Sequence, residues 1–189
     1  DMVKRSVGLM DNAVNRMVGI IRQLGTIANK ERHQLHKFPI RELLENSIER
    51  FKKDHDADAV VDLQITCDPS ATISANAEIF EAILDKLLMN AWECYPSETP
   101  DEARKITVRA MIEHEAMPNA LEVKVIDAGP GLDPKIANVV FEPFITTKTS
   151  VGRGMGLTTA RHTARNLEGD VRLSANEDGG VTATLIHPL

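Results

Sequence analysis

Apolar residues recur at alternating steps of four and three along the start of the chain: Val3, Val7, Met10, Val14, Met17, Ile21 and Leu24. The seam holds for three heptads before Gly25 and the polar run Asn29-Lys30-Glu31-Arg32. A helix packed on its own domain usually shows a broader apolar stripe, so this pattern predicts a helix over residues 1–33 that pairs with a partner helix in a bundle or coiled coil. The pattern is already running at Asp1, as expected of a piece of a longer protein.

From Phe38 the periodicity changes. Pro39 suits a first helical position, and Leu43, Leu44, Ile48 and Phe51 form one face of a helix ending near Lys53. Asp54 to Asp58 reads as a polar loop, Val60 to Cys67 alternates like a half-buried strand, and Asp68-Pro69-Ser70 closes it. Asn76 is placed to cap a helix that turns Ile79, Phe80, Ile83, Leu84, Leu87 and Leu88 inward and ends near Tyr95, before Pro96. Strands are expected at Lys105 to Glu113 and Leu121 to Ile126, then loop and short helical material, a helix from Gly154 to Leu167, and strands at Val171 to Ser174 and Val181 to Ile186. Three long helices with a mixed sheet predict a two-layer α/β (α+β) sandwich over residues 38–189, with the helices on one face.

Composition narrows the classes. A chain of 189 residues, 42% hydrophobic and 26% charged, is long enough to bury an ordinary core. A net charge of −6 with no long basic run argues against a nucleic-acid footprint. Cys67 and Cys94 lack metal spacing and are too few for a secreted disulfide framework, which favours a reducing cytoplasm and plain core roles. No stretch approaches the ~20 apolar residues of a membrane span, so no direct membrane contact is expected of this segment, although a parent protein could be anchored elsewhere.

Candidate chemistry lies in four stretches in fixed order: Asn90 on a helix, Asp127-Ala128-Gly129-Pro130-Gly131, Phe141-Glu142-Pro143-Phe144-Ile145-Thr146-Thr147-Lys148, and Gly152-Arg153-Gly154-Met155-Gly156-Leu157. The order resembles the N, G1, F and G2 boxes of the sensor histidine kinase ATP-binding domain, within the gyrase, Hsp90, histidine kinase and MutL superfamily. The wording of the third stretch is similar to the nitrogen-regulation type. The resemblance covers roughly residues 38–189 and implies a Bergerat-type fold, bound ATP and Mg²⁺, and transfer of the γ-phosphoryl to a histidine and then to the receiver domain of a response regulator. It also implies that residues 1–33 are the second helix of a dimerisation and phosphoacceptor bundle, giving a homodimer.

The residue types suit those roles. Mg²⁺ takes oxygen ligands and keeps waters, so the Asn90 carbonyl plus phosphate oxygens makes a minimal site; the alternative is a helix-surface amide. A carboxylate at Asp127 can accept from the exocyclic amine of adenine, with Gly129 and Gly131 letting the backbone approach the base, although the same letters alone would be a plain turn. Gly152, Gly154, Met155 and Gly156 lead into a helix whose amides and dipole can face a polyphosphate, and Leu157 anchors that helix. Lys148 is the cation for the same phosphates and, with Asn90, the expected catalytic pair. The resemblance makes the intervening segment a lid, with Phe141 and Phe144 as apolar hinges and Thr146, Thr147 and Lys148 as its polar face. Arg153 reads either as a phosphate ligand or as a solvated charge.

Departures from the pattern matter too. Four residues before Asn90, kinases of this kind carry Asn or His and hydrolysing relatives a Glu; this chain has Lys86. Asp85 points roughly 140° from Asn90 around the helix and is a poor substitute. Glu93 shares the face with Asn90 and reads as a structural ion pair, with Lys86 as a candidate partner, or as a group behind the metal. Gly180-Val181-Thr182 stands where relatives have Gly-Thr or Gly-Ser beside the adenine. None of His33, His36, His55, His114, His162 and His187 fits the acceptor pattern, so the acceptor is expected outside this chain. The rival classes are a non-catalytic nucleotide-binding module, which Lys86 favours, and an ATP-hydrolysing conformational switch, which it disfavours.

Overall fold

The computed structural model describes residues 35–55, 57, 60–113, 119–145, 154–176 and 179–189. The seam from Val3 to Leu24 lies outside these residues, as do Thr146, Thr147, Lys148, Gly152 and Arg153. The chain divides between His33 and Gln34, and everything described belongs to the second unit.

Helical spacing of apolar residues sets the first layer. Helix α1, Ile40–Asp54, buries Ile40, Leu43, Leu44, Ser47, Ile48 and Phe51. Glu42 in its first turn and Lys52 and Lys53 in its last complement the helix dipole. Helix α2, Ala77–Glu93, buries Phe80, Ile83, Leu84, Leu87, Leu88 and Ala91, and Asn76 caps it as expected, accepting from the Ile79 amide at 3.0 Å. Helix α3, Gly156–Asn166, buries Ala160 and Ala164, with Leu157 and Leu167 packed partly buried against the same core.

The second layer is a five-stranded sheet. Its strands are β2, Val60–Ile65; β4, Lys105–Glu113; β5, Ala120–Asp127; β6, Asp170–Ala175; and β7, Val181–Pro188. They lie in the order β2-β4-β5-β7-β6, with β2 parallel to β4 and the other pairs antiparallel. Alternation assigns the faces: Val108, Val125 and Ala183 are register partners and buried, as are Ala110, Val123 and Leu185, while Thr107, Arg109, Lys124 and Thr184 between them are at least partly exposed. The buried row joins the helices in one core, giving the expected two-layer α/β sandwich with a mixed sheet.

A small second sheet was not foreseen. Strand β1, His36–Pro39, pairs antiparallel with β3, Thr72–Ala75. Pro39 therefore ends a strand and stands just before α1, one position earlier than its sequence suggests. Cys67 and Cys94 are half-buried, Cys67 against the core rather than fully within it. Among the described residues no helix is long and apolar enough to cross a membrane.

Candidate functional site

The alternation that turns Val123 and Val125 inward also turns Asp127 inward at the end of β5, opposite Ile106. Asp127 as a whole is 5% exposed. Oδ1 accepts from the amides of Gly129 at 2.9 Å and Val181 at 3.1 Å. Among the described residues nothing bonds Oδ2. Two backbone donors on one oxygen compensate much of the cost of burying the charge and fix the direction of the other oxygen.

The loop after Asp127 is pinned from three sides. The Tyr95 hydroxyl, just past the end of α2, donates to the Lys105 carbonyl at 2.6 Å and accepts from the Ala128 amide at 3.0 Å. Burial pushes this phenol's pKa up, against the lowering effect of the Ala128 amide. Gly129 lies against Cys94, and a methyl group there would overlap the Cys94 sulfur. From the far side, the Asn176 amide donates to the Asp127 carbonyl at 2.8 Å, while the Thr182 hydroxyl bonds the Asn176 side-chain oxygen. Gly180, at φ +80°, leaves no room for a side chain: a Cβ would overlap the Asp127 carbonyl and come within 3.0 Å of Oδ1. Tyr95, Asn176, Gly180 and Val181 were not among the residues the sequence singled out as a site. In the sequence Gly180-Val181-Thr182 reads only as a departure; in the structure Val181 contributes through its amide and Thr182 through Asn176.

Helix α2 brings Asn90 and Lys86 to one face, one turn apart. Asn90 is half-buried. Lys86 Nζ bonds its neighbour Asp85 at 3.0 Å instead of reaching toward Glu93. The other oxygen of Asp85 meets His55 Nε2 at 2.7 Å, at the end of α1. Glu93 is half-buried near the end of α2. Among the described residues no group of three or more His, Cys, Asp or Glu could hold a metal ion. Asn90 thus offers one neutral oxygen donor, which fits a hydrated Mg²⁺ that takes its remaining ligands from phosphate.

The third and fourth stretches meet through backbone. The Phe144 amide donates to the Gly154 carbonyl at 3.0 Å, and a Cβ on Gly154, at φ +63°, would fall 2.6 Å from the Phe144 carbonyl carbon. The expected hinge pair separates: Phe141 packs against the core under Arg161, 4.3 Å from its ring, whereas Phe144, at φ +69°, stands 62% exposed. Arg161 and Arg165 both reach Asp170. Burial would raise the Asp170 carboxyl, but these two guanidinium groups hold it below the usual carboxylate range. Met155 is buried and precedes α3, which has no side-chain cap. The first amides of α3 have no intrahelical partner, and the Thr158 and Thr159 hydroxyls are buried without one among the described residues. Gly131 takes φ +88° beside Gly180.

An inward acidic strand end, a half-buried amide on the neighbouring helix and a glycine-led, uncapped helix start are thus carried by one two-layer α/β sandwich. A sequence profile described as histidine kinase-, DNA gyrase B- and HSP90-like ATPase matches residues 75–189, more than half of the chain, and the chain belongs to that family. Signal transduction histidine-protein kinase AtoS of Escherichia coli (strain K12) is 29% identical over 117 residues, 62% of this chain and 18% of AtoS. Sensor protein TdiS of Thauera aromatica is 26% identical over 179 residues, 94% of this chain and 32% of TdiS. The chain spans about a third or less of the length of these curated relatives. Among solved structures, the catalytic domain of histidine kinase ThkA superposes with a TM-score of 0.66 at 21% identity, over 82% of this chain and 95% of that one. Full-length ShkA in complex with AMPPNP gives 0.72 at 19% identity, over 98% of this chain and 38% of ShkA. These likenesses establish the fold.

Proposed function

We propose that this unit binds Mg·ATP as the catalytic domain of a two-component sensor histidine kinase. In the intact protein it passes the γ-phosphoryl to a histidine outside this chain, for relay to the receiver domain of a response regulator. The observation that carries the reading is Asp127: a buried carboxylate whose Oδ1 is taken by two amides, leaving Oδ2 to accept from the adenine amine. Asn90 would supply one ligand to Mg²⁺, and the metal would neutralise charge on the phosphates. The first-turn amides of α3, with Gly154, Met155, Gly156 and Leu157 at its entrance, would face the phosphate chain. Lys148, Thr147, Phe144, Gly152 and Arg153 are proposed for the same site from their sequence alone. Phosphoryl transfer asks the protein mainly for positioning and charge stabilisation, which these groups supply.

Residues 1–33 are proposed as a dimerising bundle helix and the whole as a cytoplasmic part of its parent. A second reading, a non-catalytic nucleotide sensor, is favoured by Lys86, which stands where hydrolysing relatives carry a Glu. The test is incubation with γ-labelled ATP, with and without a separately supplied acceptor helix. The kinase reading expects acid-labile label on the added helix, none on this chain and little free phosphate. Nucleotide binding without transfer to any acceptor helix would favour the sensor.

A further inference from the structure

We propose that Lys86 is a specificity residue for the terminal phosphate, exchanging Asp85 for the last phosphoryl group when a nucleoside triphosphate binds. The proposal rests on the nucleotide site above and goes beyond it. Neighbouring side chains on a helix diverge by about 100°, so Lys86 reaches Asp85 only by curling its stem sideways. The contact is half-exposed, and Asp85 already has His55 as a partner. Such a pair is weak and easily exchanged. Meanwhile the stem lies beside the start of α3: a methyl on Gly156 would sit 4.0 Å from Lys86 Cδ. Among the described residues, with no side chain at Gly156, the ammonium of Lys86, one helical turn from Asn90 along α2, has an open route from Asp85 to the uncapped first turn of α3.

An ammonium has three donors and no acceptor, so it can bind phosphoryl oxygens but cannot take a proton from water as a carboxylate would. One residue thus favours the triphosphate while removing the hydrolytic base. Asp85 is the competing anion that holds Lys86 when no terminal phosphate is present. The two substitutions should then act in opposite directions.

Calorimetric titration with Mg·AMPPNP and Mg·ADP reads this out. Lys86→Gln should weaken AMPPNP by about tenfold while changing ADP by less than about twofold. Lys86→Arg should keep the wild-type preference. Asp85→Asn should strengthen AMPPNP by about two- to threefold, a gain that damage to the fold would not produce. An unchanged AMPPNP-to-ADP ratio in Lys86→Gln, or equal weakening of both ligands, would overturn the assignment. A wild type that binds neither ligand would overturn the nucleotide site itself, whereas a wild type that binds both with Asp127 dependence but no Lys86 dependence defeats only the present proposal.

Discussion

Substituting Asp127→Asn isolates the adenine contact, because the geometry confines the change to one atom. Asn retains a carbonyl oxygen that can go on accepting from Gly129 and Val181 at 2.9 and 3.1 Å, so its NH₂ falls where Oδ2 stood. The opposite rotamer would set the NH₂ against two amide donors and is disfavoured. Two charge-assisted bonds of about 1.5–3 kcal/mol each become neutral ones of about 0.5–1.5 kcal/mol. A neutral amide is also less costly to bury than a carboxylate, which offsets part of that loss. Net stability should fall by no more than about 2 kcal/mol, a shift in Tm of about 4–8 °C at most for a domain of this size. Binding responds more sharply: a donor now faces the adenine amine, and ATP affinity should drop by about one to two orders of magnitude. GTP presents a carbonyl at that position, so the wild type should reject it and the variant should lose part of that discrimination. Calorimetric titrations of both proteins with ATP and GTP, alongside thermal melts, separate the two effects. Equal ATP affinities, or a wild type indifferent to the base, would refute the reasoning.

Gly180→Ala should destabilise by about 2–4 kcal/mol, since its positive φ alone costs an L-residue about 1–2 kcal/mol and the methyl overlaps the Asp127 carbonyl. Gly156→Ala, with only ordinary contact at 4.0 Å, should leave stability unchanged or raise it by about 0.5–1 kcal/mol, so similar losses in both variants would undo this distinction. His187 is buried against Phe80 and bonded to the Ser74 carbonyl; burial lowers its pKa more than that bond raises it. The folded state therefore prefers neutral imidazole, and this stability, complete above about pH 6.5, should decline as pH falls toward the lowered value. Urea unfolding at pH 7.5 and 5.5 should show a larger acid-induced loss for wild type than for His187→Gln. Pairing Val14→Asp with Met17→Asp should convert a weak dimer into a folded monomer that still binds nucleotide, as sedimentation and titration would show; failure to bind would make that helix part of the nucleotide domain's own core.

Legibility followed the range of the interactions. The cap at Asn76, the buried face of α2 and the bounds of β4 arise from residues close in sequence, and periodicity and capping chemistry placed them. The pairing of β1 with β3 has four-residue strands, too short to show a period, and Pro39 signalled a helix start more strongly than a strand end. The position of Asp127 at a strand end was readable, but its support by Val181, Asn176 and Gly180 comes from about fifty residues downstream and needs the β5–β7 register. Tyr95 was visible only as the residue before Pro96. Lys86 stood out as a departure, but its choice of Asp85 over Glu93 depends on how a flexible stem settles beside α3.

Strand β2 is the sheet's one parallel member, and its chain reaches β4 by way of β3 and α2. The helix bearing Asn90 is therefore the crossover between adjacent strands, tethered to the sheet at both ends, whereas Asp127 begins a glycine-rich loop. The metal end and the base end of the proposed ligand thus lie on different elements that meet at one joint, where Cys94 and Tyr95, just past the end of that helix, touch Gly129 and Ala128. Redesign of the base end that keeps this joint should leave the phosphate end undisturbed, whereas changes at Cys94 or Tyr95 should move both together.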